Sequence, residues 1–109
     1  MNVLFVCSKN KWRSRTAEAI FKNSAAYKIK SAGTDDGAQV KLNEKYLVWA
    51  DIIFVMENKH RQIIKQKFQE IFDAKKIIVL DIPDEYQFMD EELILLLKTA
   101  VTPYLDKGI

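Results

Sequence analysis

Asn2-Val3-Leu4-Phe5-Val6-Cys7-Ser8-Lys9-Asn10-Lys11-Trp12-Arg13-Ser14 is the stretch on which the fold turns. Val3 to Cys7 is an unbroken apolar run of β-branched and aromatic types, the pattern of a parallel strand buried on both faces. Downstream, Ala17, Ile20 and Phe21 stand at i, i+3, i+4 and mark one apolar helix face. Cys7–Ser14 is therefore a loop between a buried strand and the start of a helix. The amides of such a loop can converge on an anion, and the helix dipole adds partial positive charge. The loop also carries a nucleophile type, Cys7, and a fork-shaped cation, Arg13.

The rest of the chain reads outward from that unit. Tyr27 to Ser31 alternates and is bounded by Gly33, as a short edge strand would be. Thr34-Asp35-Asp36-Gly37 is a turn. Leu42 to Trp49 is a weak helix that Asn43 can cap, with Leu42, Tyr46 and Trp49 on one face. Asp51 to Met56 is a second buried strand. Lys59 to Phe72 is expected as one helix with Ile64, Phe68 and Ile71 or Phe72 inward. Ile77 to Leu80 is the last strand, and Asp81 to Tyr86 is a loop stiffened by Pro83. Asp90 can cap a final helix with a core stripe of Leu93, Ile94, Leu97 and Val101, which Pro103 is expected to kink or end.

The alternation βαβαβαβα implies an α/β fold: a three-layer sandwich, with a four-stranded parallel sheet of order 2-1-3-4 and helices on both faces. In that order the loop after strand 1 lies at the topological switch point, at the carboxyl edge where open sheets bind ligands. The loop after strand 4, with Asp81 and Asp84, opens on the same edge.

Composition bounds the function. The 109 residues are 49% hydrophobic, which suits a single domain over 1–109. A net charge of +2 with interspersed Lys and Glu argues against a nucleic-acid binder working by bulk charge. Lys59-His60-Arg61 and Lys65-Gln66-Lys67 read as a solvated helix face. His60, the sole histidine, is placed on that face, with no partner cluster for a metal. The single cysteine permits no internal disulfide and fits a reducing compartment. The first strand follows Met1 directly, and no apolar run approaches the ~20 residues of a membrane span. A soluble cytoplasmic protein, without signal sequence or membrane contact, is the expectation.

Five residues separate Cys7 from Arg13, enough chain to wrap one tetrahedral dianion. Loop amides would hold its oxygens while the guanidinium closes the ring with two parallel hydrogen bonds. The same positive field favours the thiolate of Cys7, a good nucleophile for phosphorus. Ser14 can donate a hydrogen bond to the sulfur, in addition to serving as helix N-cap. A phosphate ester also needs its leaving oxygen protonated. Asp84 is the first choice for that acid and Asp81 the alternative.

Val6-Cys7-x5-Arg13-Ser14, followed by Ala17-Glu18, resembles the low-molecular-weight protein tyrosine phosphatase family, whose loop motif is Cys-x5-Arg-Ser after a Val-rich first strand. The resemblance extends along the chain. Asn10 falls at the family's loop-shaping asparagine. Ser31-Ala32-Gly33-Thr34 is similar to the segment whose serine supports that asparagine. Met56-Glu57 resembles the family's Met-Asp. Asp84-Glu85-Tyr86 sits where the family has Asp-Pro-Tyr, its general acid and an aromatic rim residue. Lys9, Trp12, Arg15 and Glu85 depart from the family's usual Gly, Cys, Pro and Pro. The chain is identified as a compact, divergent, bacterial-type member.

The resemblance implies a phosphomonoester hydrolase acting through a phosphocysteine, with Cys7, Arg13 and Asp84 catalytic. Ser8, Lys9, Asn10, Lys11, Trp12, Ser14 and Tyr86 are expected to bind substrate, and Asn10, Ser14 and Ser31 to support the loop. Trp12 is open between pocket wall and cover over the first helix, and Tyr86 between rim and core. The partner is a phosphotyrosine protein or a small phosphate ester, with inorganic phosphate released and neither cofactor nor metal required. Lys9, Lys11 and Arg15 would surround the mouth with positive charge and favour a more anionic substrate. Rival readings are a non-catalytic phosphate or phosphopeptide module, an arsenate reductase using an external thiol, and a sugar-transport phosphocarrier. Arg13 argues against the carrier, which does not need it.

Overall fold

The computed structural model describes residues 1–106, so the end of the expected 1–109 domain lies outside the described residues. Four parallel strands form one sheet of order β2-β1-β3-β4, as the alternation predicts: β1 (Asn2–Cys7), β2 (Lys28–Gly33), β3 (Ile52–Val55) and β4 (Lys76–Val79). The helices between and after them are α1 (Arg13–Phe21), α2 (Glu44–Trp49), α3 (Asn58–Lys67), α4 (Gln69–Ala74) and α5 (Glu91–Asp106). Among the described residues, no helix is long and apolar enough to cross a membrane.

Because successive strand residues point to opposite faces, β1 feeds two cores. Val3, Phe5 and Cys7 pack with Phe54, Met56 and Ala17 and with Leu93, Leu97 and Val101 of α5. Leu4 and Val6 pack on the other face with Ile53, Val55, Leu47 and Ile64. Val3 through Val6 are all 0% exposed, and each such side chain contributes about 1.5–3 kcal/mol of burial free energy. This explains the continuous apolar reading of the strand.

Several boundaries differ from the sequence expectation. Helix α1 begins at Arg13, so Ser14 lies inside its first turn and is not the N-cap; Trp12 occupies that position without a side-chain capping bond. The expected helix over 59–72 is two helices. Phe68, at φ −137° and ψ 49°, leaves the helical region between them. Ile64, Phe68, Ile71 and Phe72 all pack on the same core across the break. Pro103 neither ends nor replaces α5, which continues to Asp106. Beyond it, Leu105 is buried and its carbonyl accepts a hydrogen bond from Tyr27 Oη, anchoring the last turn. Asn43 and Asp90 cap as expected, accepting from the Tyr46 amide at 3.1 Å and the Glu92 amide at 2.9 Å.

Candidate active site

Strand β1 ends at Cys7 opposite Gly33, and the chain turns through Ser8–Trp12 into α1. Three carbonyls of this turn are tied outward to the segment after β2. The amides of Thr34, Asp35 and Gln39 donate to Cys7 O, Ser8 O and Lys9 O at 2.9, 2.8 and 3.0 Å. In a trans peptide the N–H points opposite the C=O, so the amides of Ser8, Lys9 and Asn10 are turned the other way. That is the polarity an anion requires. Asn10 completes the turn in the left-handed region, at φ 53°, which asparagine tolerates better than most side chains.

Beneath the loop runs a chain of hydrogen bonds that ends at the sulfur. Ser31 Oγ donates to the Glu18 carboxylate at 2.6 Å. Asn10 Nδ2, which can only donate, reaches Ser31 Oγ at 2.9 Å and Ser14 Oγ at 2.8 Å. Ser14 keeps its own proton and lies 3.0 Å from Cys7 Sγ, so it can donate to the sulfur when that is a thiolate. Asn10, Ser14 and Ser31 are all buried, so this support stands behind the loop rather than in its mouth.

Arg13 is 2% exposed, an unusual burial for a guanidinium and one that demands partners. Nη1 donates to Glu57 Oε1 at 2.5 Å and to Ile82 O at 2.9 Å. Nε lies 3.7 Å from Asp84 Oδ1. The Nη1 side is thus fixed by the N-cap of α3 and the segment after β4, and the Nε edge faces the pocket that Asp84 also lines. Partial burial pushes the Glu57 carboxyl up, but the Arg13 hydrogen bond and charge, helped by Lys59, outweigh it and hold the group below the usual carboxylate range.

The pocket itself is lined by Cys7, Ser8, Lys9, Lys11, Trp12, Arg13 and Asp84, and its volume is about 110 Å³. That is small against the ~300–1,000 Å³ of drug-sized sites and suits a tetrahedral anion with its first attached atoms. Asp84 arrives from a chain region far from Cys7 in sequence, whereas Asp81 lines a different depression with Glu57, Asn58, Lys59 and Pro83. Trp12 lies on the pocket wall, half-buried, with Lys11 Nζ 4.8 Å from its ring centre. Asn10 and Ser14 do not line the pocket. Nor does Tyr86, which packs half-buried against the core on the α1/α5 face. Arg15 does not join Lys9 and Lys11 at the mouth; it donates to Gln39 Oε1 at 2.6 Å.

The largest departure concerns His60, expected on a solvated face. It is 0% exposed, at the start of α3, with Nδ1 accepting from the Glu57 amide at 3.0 Å and Nε2 2.8 Å from Ser8 Oγ. Burial and the neighbouring Arg13 charge lower it to about 4, with Glu57 and Asp35 opposing and Lys59 adding to the shift. Glu57 and Glu18 are the other polar supports that sequence reasoning gave no role. The signal for the first pair was available: Glu57-x-x-His60 has the spacing of a capping box. Among the described residues no cluster of His, Cys, Asp and Glu is suited to a metal ion.

Residues 2–45 match the family described as low molecular weight phosphotyrosine protein phosphatase. The low molecular weight protein tyrosine phosphatase SP-PTP from Streptococcus pyogenes superposes with a TM-score of 0.83 at 21% identity, over 99% of this chain and 93% of that one. The tyrosine phosphatase Wzb from Escherichia coli K30, in complex with phosphate, gives 0.80 at 23% identity, over 97% and 96% of the two chains. The YwlE arginine phosphatase from Geobacillus stearothermophilus gives 0.74 at 20% identity, over 98% and 94%. A search among curated proteins finds no match. The loop, α1 and β2 thus carry the signature of the low molecular weight phosphotyrosine protein phosphatases, on a chain that has the fold of these solved structures nearly from end to end.

Proposed function

We propose that the protein is a cysteine-dependent phosphomonoester hydrolase of the protein tyrosine phosphatase type, one phosphatase-like domain over 1–109. It acts on phosphotyrosine in proteins or on a small phosphate ester, in the cytoplasm, a reducing compartment that the single cysteine fits. The observation that carries this reading is the meeting of Cys7, Arg13 and Asp84 around one small pocket. Cys7 Sγ, as thiolate, attacks phosphorus in line. The Sγ–P bond forms as the ester O–P bond breaks, and Asp84 gives its proton to the departing oxygen. The amides of the loop and Arg13 hold the three equatorial oxygens, and this preorganised charge supplies most of the acceleration. Water then attacks the phosphocysteine, Asp84 takes its proton, and the thiolate leaves with its charge stabilised by Ser14.

Lys9 and Lys11 shape selectivity. A phosphoguanidine presents a cationic leaving group to these two cations, whereas a phenolic ester presents none. The site therefore favours phosphate esters over phosphoarginine.

An aryl phosphate assay with wild type, Cys7→Ser and Asp84→Asn tests the mechanism. Turnover is expected to vanish in Cys7→Ser and to fall about 10²-fold in Asp84→Asn, with the larger loss on poorer leaving groups. Turnover that persists in Cys7→Ser sinks the mechanism. Phosphate binding without turnover in the wild type marks a non-catalytic phosphate module instead.

A further inference from the structure

Ser8 and Ser14 stand at the two ends of the loop that follows Cys7, and both hydroxyls are backed by a second polar side chain. For Ser14 that backing is Asn10. For Ser8 it is His60, on a different element and from outside the loop. Ser8 lines the pocket, and its Oγ makes its hydrogen bond to His60 Nε2 at 2.8 Å. Which atom donates follows from the other end of the ring. The Glu57 backbone N–H is a donor and nothing else, and it points at His60 Nδ1 at 3.0 Å. Nδ1 must therefore present a lone pair. In the neutral ring the proton then sits on Nε2, and Nε2 donates to Ser8.

We propose that His60 is a positioning residue for the phosphate pocket: the Glu57 amide fixes its tautomer, the ring occupies a lone pair of Ser8, and the Ser8 proton is left to donate to the anion held above Cys7. This inference rests on the phosphate-site reading given above. Burial and the Arg13 charge lower the His60 pKa to about 4, so near neutral pH no proton on Nδ1 opposes the Glu57 amide. Ser8 thereby becomes a directed hydroxyl like Ser14, with a division of labour. Ser14 donates to sulfur. Ser8 donates to the transferred group.

Asparagine and glutamine separate the two ends of the ring. In His60→Asn the amide oxygen can stand where Nδ1 accepts from Glu57, but the side chain is too short to reach Ser8. In His60→Gln the amide nitrogen can stand where Nε2 donates. The probe is inorganic phosphate, read by its protection of Cys7 from alkylation, alongside kcat and KM on an aryl phosphate and a melting curve for each variant. Ser8→Ala and His60→Asn should each weaken phosphate protection about tenfold, the order of one charge-assisted hydrogen bond. The double variant should be no weaker than either single, because both remove the same donor. His60→Gln should recover most of the loss even where its melting temperature is lowered, which a purely structural role of His60 does not predict.

The inference is overturned if Ser8→Ala binds phosphate as the wild type does, or if the two single losses multiply in the double variant. It is equally overturned if His60→Gln binds no better than His60→Asn. A wild type that neither binds phosphate nor turns over ester overturns the phosphatase reading itself, and that outcome is distinguishable because it precedes any variant.

Discussion

The two sides of the pocket are built on opposite principles. The cradle from Cys7 to Ser14 is interior: Cys7, Asn10, Arg13 and Ser14 are at most 3% exposed, and each of these side chains has at least one named partner, although Asn10 Oδ1 itself has none among the described residues. The acid side, from Pro83 to Asp90, is largely exterior, with Tyr86 half-buried. Asp84 is 55% exposed, Phe88 and Met89 stand out in solvent, and the contacts of Asp84 reduce to one ion pair at 3.7 Å. Besides the contacts of Arg13, a hydrogen bond from the Met89 amide to Thr16 Oγ1 at 2.9 Å ties this segment to α1. Anion stabilisation must be ready before the charge develops, so its donors need fixed positions. An acid that protonates a departing oxygen must instead make room for the substrate that carries it. Rigidity is found where charge is held, and exposure remains where substrate enters.

That contrast can be broken at its centre. Arg13→Lys keeps the charge but loses the fork and abandons both Glu57 and Ile82 O. Turnover should fall ~10³-fold, on the order of 4 kcal/mol of transition-state stabilisation. Phosphate should bind much more weakly, because the ground-state contacts disappear with the fork. Steady-state kinetics and phosphate protection on one preparation check both. If Arg13→Lys costs less than Asp84→Asn, the cradle is not the main source of the acceleration.

His60 gives the buried side a pH signature that the exposed side lacks. Its folded-state value of about 4 lies below the ~6.5 of an unfolded histidine. Above ~6.5 the ring is neutral in both states and full stability is present. As pH falls below ~6.5, the unfolded chain takes up a proton that the folded one refuses, so stability declines until the folded ring also titrates near 4. The integrated loss is roughly 3 kcal/mol. Glu57, held low by Arg13, loses its own contribution at lower pH still, as its carboxylate titrates in the fold. Urea midpoints taken between pH 7 and pH 4 should fall in wild type and fall less in His60→Gln. Parallel curves would remove His60 as the cause.

The sheet order, the loop and the meeting of Asp84 with Cys7 were legible because each follows from local pattern plus crossover handedness. Val3–Cys7 has no polar residue to misread, and the right-handed βα units leave little freedom in strand order. His60 was misread because Lys59-His60-Arg61 is locally a charged helix surface, and the capping-box spacing from Glu57 was the one sequence signal against that reading. Only the position of α3 against the cradle turns one of its side chains inward. Tyr86 failed for the converse reason. An aromatic residue two positions from Asp84 fits rim or core equally by sequence, and the choice is made by how the exposed segment folds back onto α1 and α5. The break at Phe68 escaped because both halves of the pattern are helical, and just one φ/ψ pair records the interruption.

Gly33 offers the finest test of how closely the interior side is fitted. It pairs with Cys7 at the carboxyl edge, and the segment after it holds the loop carbonyls. A Cβ there would stand 2.5 Å from Ser8 O, 2.7 Å from Ala38 Cβ and 2.8 Å from Asn10 N. Two of those atoms are backbone of the cradle, which cannot give way as a flexible side chain would. Gly33→Ala should therefore cost about 2 kcal/mol by overpacking, and it should do so by pushing on Ser8 and Asn10. Phosphate protection of Cys7 should weaken along with the melting temperature. Glu85→Ala, on the exposed segment beside Asp84, should change stability by less than about 0.5 kcal/mol. A Gly33→Ala variant that melts lower yet binds phosphate normally would show that the loop can yield by several tenths of an ångström without losing its anion geometry. The contrast between the two sides would then be one of packing alone.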